Sequence, residues 1–166
     1  MYQPYPKTKF DTLKRDWWFQ EIAQHISSQA ESPRFVTNLE LVDQLPAQAR
    51  AIYFLWIFSG EVGGNGLECY LLQQQGHYAP YAHEALKTIG AFELVERLEA
   101  AIPHAIATGC VEFSAGNNMS WFRQFPINPK YPSLQATDVG IYELANDGIK
   151  HKCNDFIAAH RGVFIA

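Results

Sequence analysis

The sequence has few charges, few cysteines and no long apolar run. Charged residues make up 18% of the 166 residues, against about 25% in typical globular proteins. The longest apolar stretch, Ala51 to Phe58, falls far short of the roughly 18 residues that a membrane helix needs. Residues 1–10 are rich in Tyr and Pro and lack the apolar segment of a secretory signal. These absences predict a cytoplasmic protein that does not associate with a membrane.

The pattern of potential metal ligands is equally sparse. The three cysteines, Cys69, Cys110 and Cys153, are odd in number and widely spaced, with no CxxC pair. Such a set is typical of reduced, buried thiols rather than of a disulfide framework or a metal site. The six histidines show neither an HExxH pattern nor a zinc-finger spacing. We therefore expect no metal and no cofactor.

Aromatic residues are well represented. They account for 14% of the chain, and 48% of the residues are apolar. A chain of this length can bury roughly 70% of its unfolded surface, which is enough for a hydrophobic core without disulfides or bound metals. The sequence therefore predicts one domain over residues 1–166. A homodimer stays open as well, because the apolar supply exceeds what one small core needs.

Apolar spacing near 3.6 residues dominates the chain, whereas strand alternation is not convincing anywhere. We predict an all-α fold, a single compact multi-helix domain with a long C-terminal connecting loop from Ser114 to Thr137. The first helix is expected to start at Asp11 as its N-cap. The predicted helices are 11–30, 38–44 (through Leu39 and Leu41), 46–58 (opened by Pro46), 67–74, 79–89 (closed by Gly90), 91–102 (limited or kinked by Pro103) and 138–160 (with Gly148 as a candidate break).

Acidic residues concentrate in the middle of the chain. From Phe35 to Glu112 there are nine acids against three bases, whereas each flank carries a net charge of +1. This balance disfavours direct nucleic-acid binding by the middle region. The segment from Ala91 to Ile102 is its cleanest amphipathic helix, with an apolar face opposite a charged one. The charged side, Phe92, Glu93, Glu96 and Glu99, could bind a basic partner, or could be no more than a solvated helix face.

A glycine-rich segment predicts a turn after the apolar run. Residues 60–66 contain four glycines, and two acids flank them. A phosphate cradle is disfavoured, because no Lys-Ser/Thr pair follows and both acids would repel a phosphate. Glu61, with His77 or His83, could serve acid–base chemistry, or it could cap backbone groups in the turn. No catalytic motif is legible, so the turn residues Glu61, Gly63, Gly64, Asn65, Gly66 and Glu68 stay a candidate site without an assigned reaction.

Three blocks of the sequence resemble one bacterial family of unknown function. Residues 61–70 resemble its motif Glu-Val-x-Asn-Gly-Gly-Phe-x-Gln-Phe/Tyr, although Asn-Gly-Gly stands here as Gly64-Asn65-Gly66 and Cys69 replaces the Gln. Residues 85–91 resemble its Ala-Leu-x-x-Ile-Gly-Ala. Residues 137–144 resemble its Leu-Asp-x-x-Phe-Tyr-x-Leu, and the likeness spans about residues 45–164. The family is helical and includes a small acidic DNA-mimic protein that binds a transcription factor in place of DNA.

The resemblance and the charge pattern lead to ranked hypotheses. The first is a non-enzymatic protein-interaction domain that binds a basic or DNA-binding protein through an acidic helical surface. A toxin-neutralising immunity protein is a generic alternative. The other class is a small-ligand binder or hydrolytic enzyme centred on the turn at residues 60–66, with Glu61 as its key residue.

Overall fold

The computed structural model describes residues 1–30, 39–72, 77–109, 111 and 119–166. Across these ranges the chain is helical, as predicted, and an isolated bridge between Tyr5 and Ile165 brings its two ends together. No helix in the described ranges is long and apolar enough to span a membrane. The helices are α1 (Lys7–Phe10), α2 (Trp18–Ala30), α3 (Leu39–Asp43), α4 (Ala47–Leu72), α5 (Ala79–Thr88), α6 (Phe92–Ala107), α7 (Met119–Phe122), α8 (Leu134–Asp138), α9 (Ile141–Glu143), α10 (Ile149–Ala159) and α11 (Arg161–Phe164).

Helix α4 is the centre of the fold. It contacts α2, α5, α6 and the helices from α8 to α11. Its first half has almost no polar face, and a helix without a polar face has to be surrounded by others. Pro46 precedes its first residue, as predicted, and the carbonyl of Pro46 accepts a hydrogen bond from the Arg50 N–H. The fully buried side chains of this half include Ile52, Tyr53, Leu55 and Phe58.

The predicted turn at residues 60–66 is wrong. Helix α4 runs through it, and Gly66 alone has non-helical backbone angles, with φ 81° and ψ 174°. Each glycine in a helix costs about 1 kcal/mol relative to alanine. That cost is offset by packing on both sides of the segment, because Val62, Gly63 and Leu67 are buried.

The N-terminal helix begins later than predicted. Asp11 does not cap it; Asp11 ends α1, with its N–H bonded to the carbonyl of Lys7. A 3₁₀ turn at Arg15–Trp17 then leads into α2. Extended backbone at Pro6 allows the separate helix α1 to form before Asp11. The short helix α3 is present, but Val42 is its buried residue, whereas Leu41 is exposed.

A glycine ends α5, whereas a proline does not end α6. Gly90 closes α5 as predicted, with φ +69°, and the N–H groups of Gly90 and Ala91 bond the carbonyls of Lys87 and Leu86. This pairing satisfies carbonyls that the helix end leaves open. Pro103, in contrast, does not end α6, which continues to Ala107 because its apolar face stays buried through Ala105.

The C-terminal connection is more ordered than the sequence indicates. Its described part contains α7 and the start of α8, and Phe122 and Tyr131 are buried. Trp121 is partly buried beside Phe122. A π-helical turn at Leu144–Gly148 joins α9 to α10, so Gly148 does not divide the helix. Residues 112–118 lie outside the described residues, as does the end predicted at residue 74 for the helix that begins at residue 67.

The cysteines are consistent with reduced thiols where the structure describes them. Cys153 is buried in α10 and Cys69 is half-buried in α4, and both are free. Burial raises the pKa of the Cys153 thiol well above its usual range. A thiol held in its protonated form is a poor nucleophile and a poor metal ligand. Cys110 lies outside the described residues.

Candidate functional site

The glycine-rich part of α4 is held by side chains from the C-terminal region. Asn146, in the π-helical turn, donates from Nδ2 to the Gly63 carbonyl at 3.3 Å and to the Tyr142 carbonyl at 3.0 Å. The amide lies so close that a Cβ at position 63 would be 2.6 Å from its Oδ1. Gly63 is therefore required by the approach of another side chain and not by a turn.

Asp138, at the end of α8, caps the last segment of α4. Its Oδ1 accepts a hydrogen bond from the Leu67 N–H at 2.9 Å, and a Cβ at Gly66 would lie 2.5 Å from its Oδ2. The break at Gly66 frees the N–H groups that follow it, and this carboxylate satisfies them. Partial burial raises the pKa of Asp138, while bonds from the Leu67 and Glu68 N–H groups and the charge of Arg97 oppose the rise.

We call Gly63, Gly66, Asp138 and Asn146 the glycine clamp. Two of the family-like blocks meet in it, residues 61–70 in α4 and residues 137–144, which run from the end of α8 through α9. Asn146 follows two residues after the second block. The sequence reading did not single out Asp138 or Asn146. Asp138 lies within the block at residues 137–144, whereas no pattern in the sequence marked Asn146.

Arg97 ties α6 to the same C-terminal region. Its guanidinium donates to the Thr137 carbonyl at 3.0 Å, to the Val139 carbonyl at 2.6 Å and to Glu93 Oε1 at 3.0 Å. The side chain is only 13% exposed. Its Nε is buried and has no hydrogen-bond partner in the part of the chain that the structure describes. Arg97 is thus mainly a structural bridge, although it stands among three glutamates in the sequence.

The predicted acidic surface exists, but each of its carboxylates already has a partner. We call Glu93, Glu96 and Glu99 of α6 the acidic face; their side chains are 55%, 39% and 37% exposed. Glu93 pairs with Arg97, Glu96 with Lys130 Nζ at 2.8 Å, and Glu99 with His83 Nε2 at 2.7 Å. The hydrogen bond from Lys130 lowers the pKa of Glu96 from its ordinary value.

His83 adds a fourth carboxylate to this surface. It is buried in α5, and its Nδ1 lies 3.2 Å from Glu84 Oε1 while its Nε2 contacts Glu99. Glu84 is exposed. The histidine therefore joins the acidic residues of two helices, a link that the sequence reading missed because the two lie on separate helices. His83 is also unavailable to Glu61, for which it had been considered a catalytic partner.

Phe92 borders an apolar groove beside the acidic face. The ring is 68% exposed, as the helical pattern indicates. The groove has a volume of about 280 Å³ and lies between the start of α6 and the π-helical turn. Exposed aromatic rings are enriched in protein interfaces, and the rim around them is polar. The residues that line the groove are Gly90, Ala91, Phe92, Glu93, Leu94, Leu144, Gly148 and Lys152.

Glu61 lies near the buried side chain of Tyr70. Burial raises the pKa of the Tyr70 hydroxyl far above its usual range, with further contributions from the charges of Tyr78 and Glu61. That hydroxyl has no hydrogen-bond partner among the described residues. Glu61 itself is half-buried, and it does not line the groove beside Phe92. Gly64 and Asn65 are exposed on α4, and Glu68 is half-buried after the break.

Comparison with known proteins identifies one family. A family model described as DMP19-like protein matches residues 43–160. The matched region begins just before α4 and ends just after α10, so it contains both the glycine clamp and the acidic face. Neither the comparison with curated proteins nor that with solved structures found a match.

Proposed function

Because the chain belongs to the DMP19-like protein family, we propose that it is a cytoplasmic, non-enzymatic protein-interaction domain that binds a basic or DNA-binding protein. The binding surface we propose is the acidic face together with Phe92. The DNA-mimic role comes from the family. The position of the surface comes from the geometry of α6.

The spacing of the three glutamates supports a surface that competes with DNA. A helix rises 1.5 Å per residue, so Glu93 and Glu99 are about 9 Å apart along the axis, with Glu96 midway. One DNA strand carries a charge about every 3.4 Å of helix axis. The three carboxylates are therefore spaced somewhat more widely than the phosphates of a single strand, and Arg97 and Lys130 offset two of their charges. Glu84, joined through His83, extends the array onto α5.

The internal cations make this surface selective for strongly basic partners. Lys130 is 59% exposed and can swing away from Glu96, whereas Arg97 is held by two backbone carbonyls as well as by Glu93. A partner arginine offers a planar fork that binds carboxylates at two points, which a lysine cannot do. An arginine-rich surface could therefore displace Lys130 from Glu96.

The alternative of an enzyme centred on Glu61 has less support. It depends on a turn at residues 60–66 that would expose backbone N–H groups. The structure has helix α4 there instead, with Gly63 and Gly66 packed against Asn146 and Asp138. The observation that carries the interaction proposal is the family match combined with a helix face that presents Glu93, Glu96 and Glu99.

The test begins with affinity capture of partners from native lysate. The captured protein is then purified, and its affinity for the wild type and for each variant is measured. The variant Glu93→Gln/Glu96→Gln/Glu99→Gln is compared with the control Asp11→Asn/Asp43→Asn/Asp155→Asn. The control removes three carboxylates that also form ion pairs, but elsewhere on the molecule. We expect the wild type and the control to bind one protein in a salt-dependent manner, and the α6 variant to bind it at least about tenfold more weakly.

Double-stranded DNA added as competitor sharpens the result. A DNA mimic and DNA occupy the same basic surface of the partner, so DNA should displace the wild type. Equal capture by the α6 variant and the control would contradict the proposed surface. If a partner is captured stoichiometrically and DNA does not displace it, the chain is an interaction protein that does not mimic DNA.

A further inference from the structure

The groove beside Phe92 is continuous with the acidic face. Glu93 belongs to both, and Leu94 and Leu144 add apolar surface to the groove. Its volume of about 280 Å³ lies below the range of about 300–1,000 Å³ that is usual for drug-sized ligands. The groove therefore suits one or two side chains of a protein partner better than a whole small molecule.

Small residues open this groove, and one of them is not required by the fold. Gly148 lies in the π-helical turn with ordinary helical angles, φ −61° and ψ −48°. A Cβ at this position would lie 3.7 Å from the Glu143 carbonyl oxygen, an ordinary van der Waals distance. Neither backbone strain nor a close contact therefore demands glycine here, in contrast to Gly63 and Gly66. π-Helical turns are rare and often lie at functional sites, and this one leaves open space next to the acidic face.

A second exposed apolar residue lies at the same end of the acidic face. Val139 is 72% exposed, and its carbonyl accepts a hydrogen bond of 2.6 Å from Arg97. The same guanidinium donates to Glu93 at 3.0 Å, so Val139 lies next to this carboxylate. Phe92, which is also exposed, precedes Glu93 in α6. Single exposed apolar residues are ordinary, whereas several that lie together mark interaction sites.

The charges at the groove indicate which kind of partner fits it. Glu93 stands on the α6 wall and Lys152 on the α10 wall, and both are exposed. A positive group at the groove is attracted to Glu93 and repelled by Lys152. The bases of an occupant therefore lie on the α6 side, where Glu96 and Glu99 continue the negative surface.

We propose that the groove holds an apolar side chain of the basic partner, about the size of leucine, while arginines or lysines beside that side chain bind the acidic face. The inference rests on the proposed function and specifies the chemistry of its partner. Charge alone attracts many DNA-binding proteins, because all of them bind rows of phosphates. Buried anchors contribute a large share of the binding energy in protein interfaces. The groove thus selects, among basic proteins, those that carry an apolar anchor next to their bases.

Two synthetic peptides test the anchor without knowledge of the partner. Both are helical, about 15 residues long and built from arginine and alanine. One carries a single central leucine, which is alanine in the other, so their charges are equal. Each is titrated into the ¹⁵N-labelled protein, and the amide shifts give the affinity and the site. We expect the leucine peptide to bind about tenfold more tightly, because its additional carbon atoms are buried. Only that peptide should shift the amides of Ala91, Leu94 and Gly148.

The variant Gly148→Met fills the groove, and Gly162→Met is its matched control. Gly162 lies in α11, where a Cβ would meet no described atom within 4 Å. Gly148→Met should bind the two peptides with equal affinity, whereas Gly162→Met should keep the preference of the wild type. The comparison of the two peptides on the wild type decides the question even if Gly148→Met does not fold.

Equal affinity of the two peptides for the wild type, or a preference that survives in Gly148→Met, would overturn the anchor. Sedimentation of the free protein tests a second copy of this chain as the occupant. A dimer that Gly148→Met dissociates would assign the groove to that copy and would also overturn the proposal. The acidic face is tested separately. If Glu93→Gln/Glu96→Gln/Glu99→Gln binds the alanine peptide as tightly as the wild type does, the proposed function fails, whatever the leucine preference.

Discussion

The glycine clamp and the acidic face are two regions of the same family-matched segment, and they are built in opposite ways. In the clamp, Asp138 and Asn146 direct their polar atoms inward to backbone groups of α4. In the acidic face, Glu93, Glu96 and Glu99 are partly exposed, and each pairs with a cation or a histidine. The comparison shows that the glycine-rich segment of α4 is fixed by packing against the C-terminal region, whereas the surface that we propose for binding has no sequence motif of its own.

The largest expected effect comes from filling the clamp. Gly66→Ala places a Cβ in a backbone region that is essentially restricted to glycine, and within 2.5 Å of Asp138. We expect it to lower the free energy of unfolding by about 3 kcal/mol, from the combined backbone strain and steric overlap. Chemical denaturation monitored by circular dichroism measures the loss.

Gly64→Ala is the matched control for that substitution. Gly64 is helical and exposed, and a Cβ there meets nothing within 4 Å. Alanine should therefore leave stability unchanged or raise it by up to about 1 kcal/mol. If Gly64→Ala destabilised the protein as much as Gly66→Ala, the steric role that we assign to the glycine clamp would be contradicted. A turn that needs glycine at both positions would then explain the result better.

The second prediction concerns the ion pair between Arg97 and Glu93, whose two members belong to different regions. Arg97 belongs to the fold through its bonds to Thr137 and Val139, whereas its partner Glu93 belongs to the acidic face. Arg97→Gln should cost about 2 kcal/mol because charged hydrogen bonds to two backbone carbonyls are lost. Glu93→Gln should cost less than about 0.5 kcal/mol, since exposed ion pairs contribute little.

Thermal and denaturant unfolding of the two single variants measures this asymmetry. If both substitutions cost the same, Arg97 acts only as the partner of Glu93. The division between a structural and a binding region would then fail at this residue.

The smallest effect is expected at the cap of α4. Asp138→Ala removes the acceptor of the Leu67 N–H and should cost about 1 kcal/mol, as for other helix caps. Asp138→Asn keeps an oxygen acceptor. Because burial raises the pKa of Asp138, its ionisation costs stability as pH rises through that pKa, and Asn avoids this cost.

At pH 7, Asp138→Asn should therefore be at least as stable as the wild type. Relative to the wild type, its stability should fall when the pH is lowered to 4. Unfolding curves at the two pH values check both statements. A strongly destabilised Asn variant at pH 7 would mean that the negative charge itself is needed.

Much of the fold was predictable from local patterns. The helical spacing of Ala91, Leu94 and Leu98 indicated the buried side of α6, and Gly90 indicated the end of α5. The exposure of Phe92 followed from the same periodicity. These features depend on residues within one or two turns of each other, and such residues are adjacent in the sequence.

The errors arose where a distant residue changed a local preference. Four glycines between positions 60 and 66 predict a turn, yet Asn146 and Asp138 make a continuous helix with a single break the better solution. Asp11 is a good N-cap by residue type, but the preceding Pro6 already allows α1 to form. Local propensity is a weak preference, and tertiary contacts outweigh it.

The amino-acid pattern was thus sufficient for the all-α class, for the buried and exposed sides of α6 and for the acidic balance of the middle region. The tertiary structure decided how those acids are compensated, through Arg97, Lys130 and His83, and why Gly63 and Gly66 are glycines. The physical reason is the separation along the sequence of the residues that interact. Periodicity and charge are properties of neighbouring residues, whereas ion pairs such as Glu96–Lys130 and caps such as Asp138–Leu67 join positions 34 and 71 residues apart.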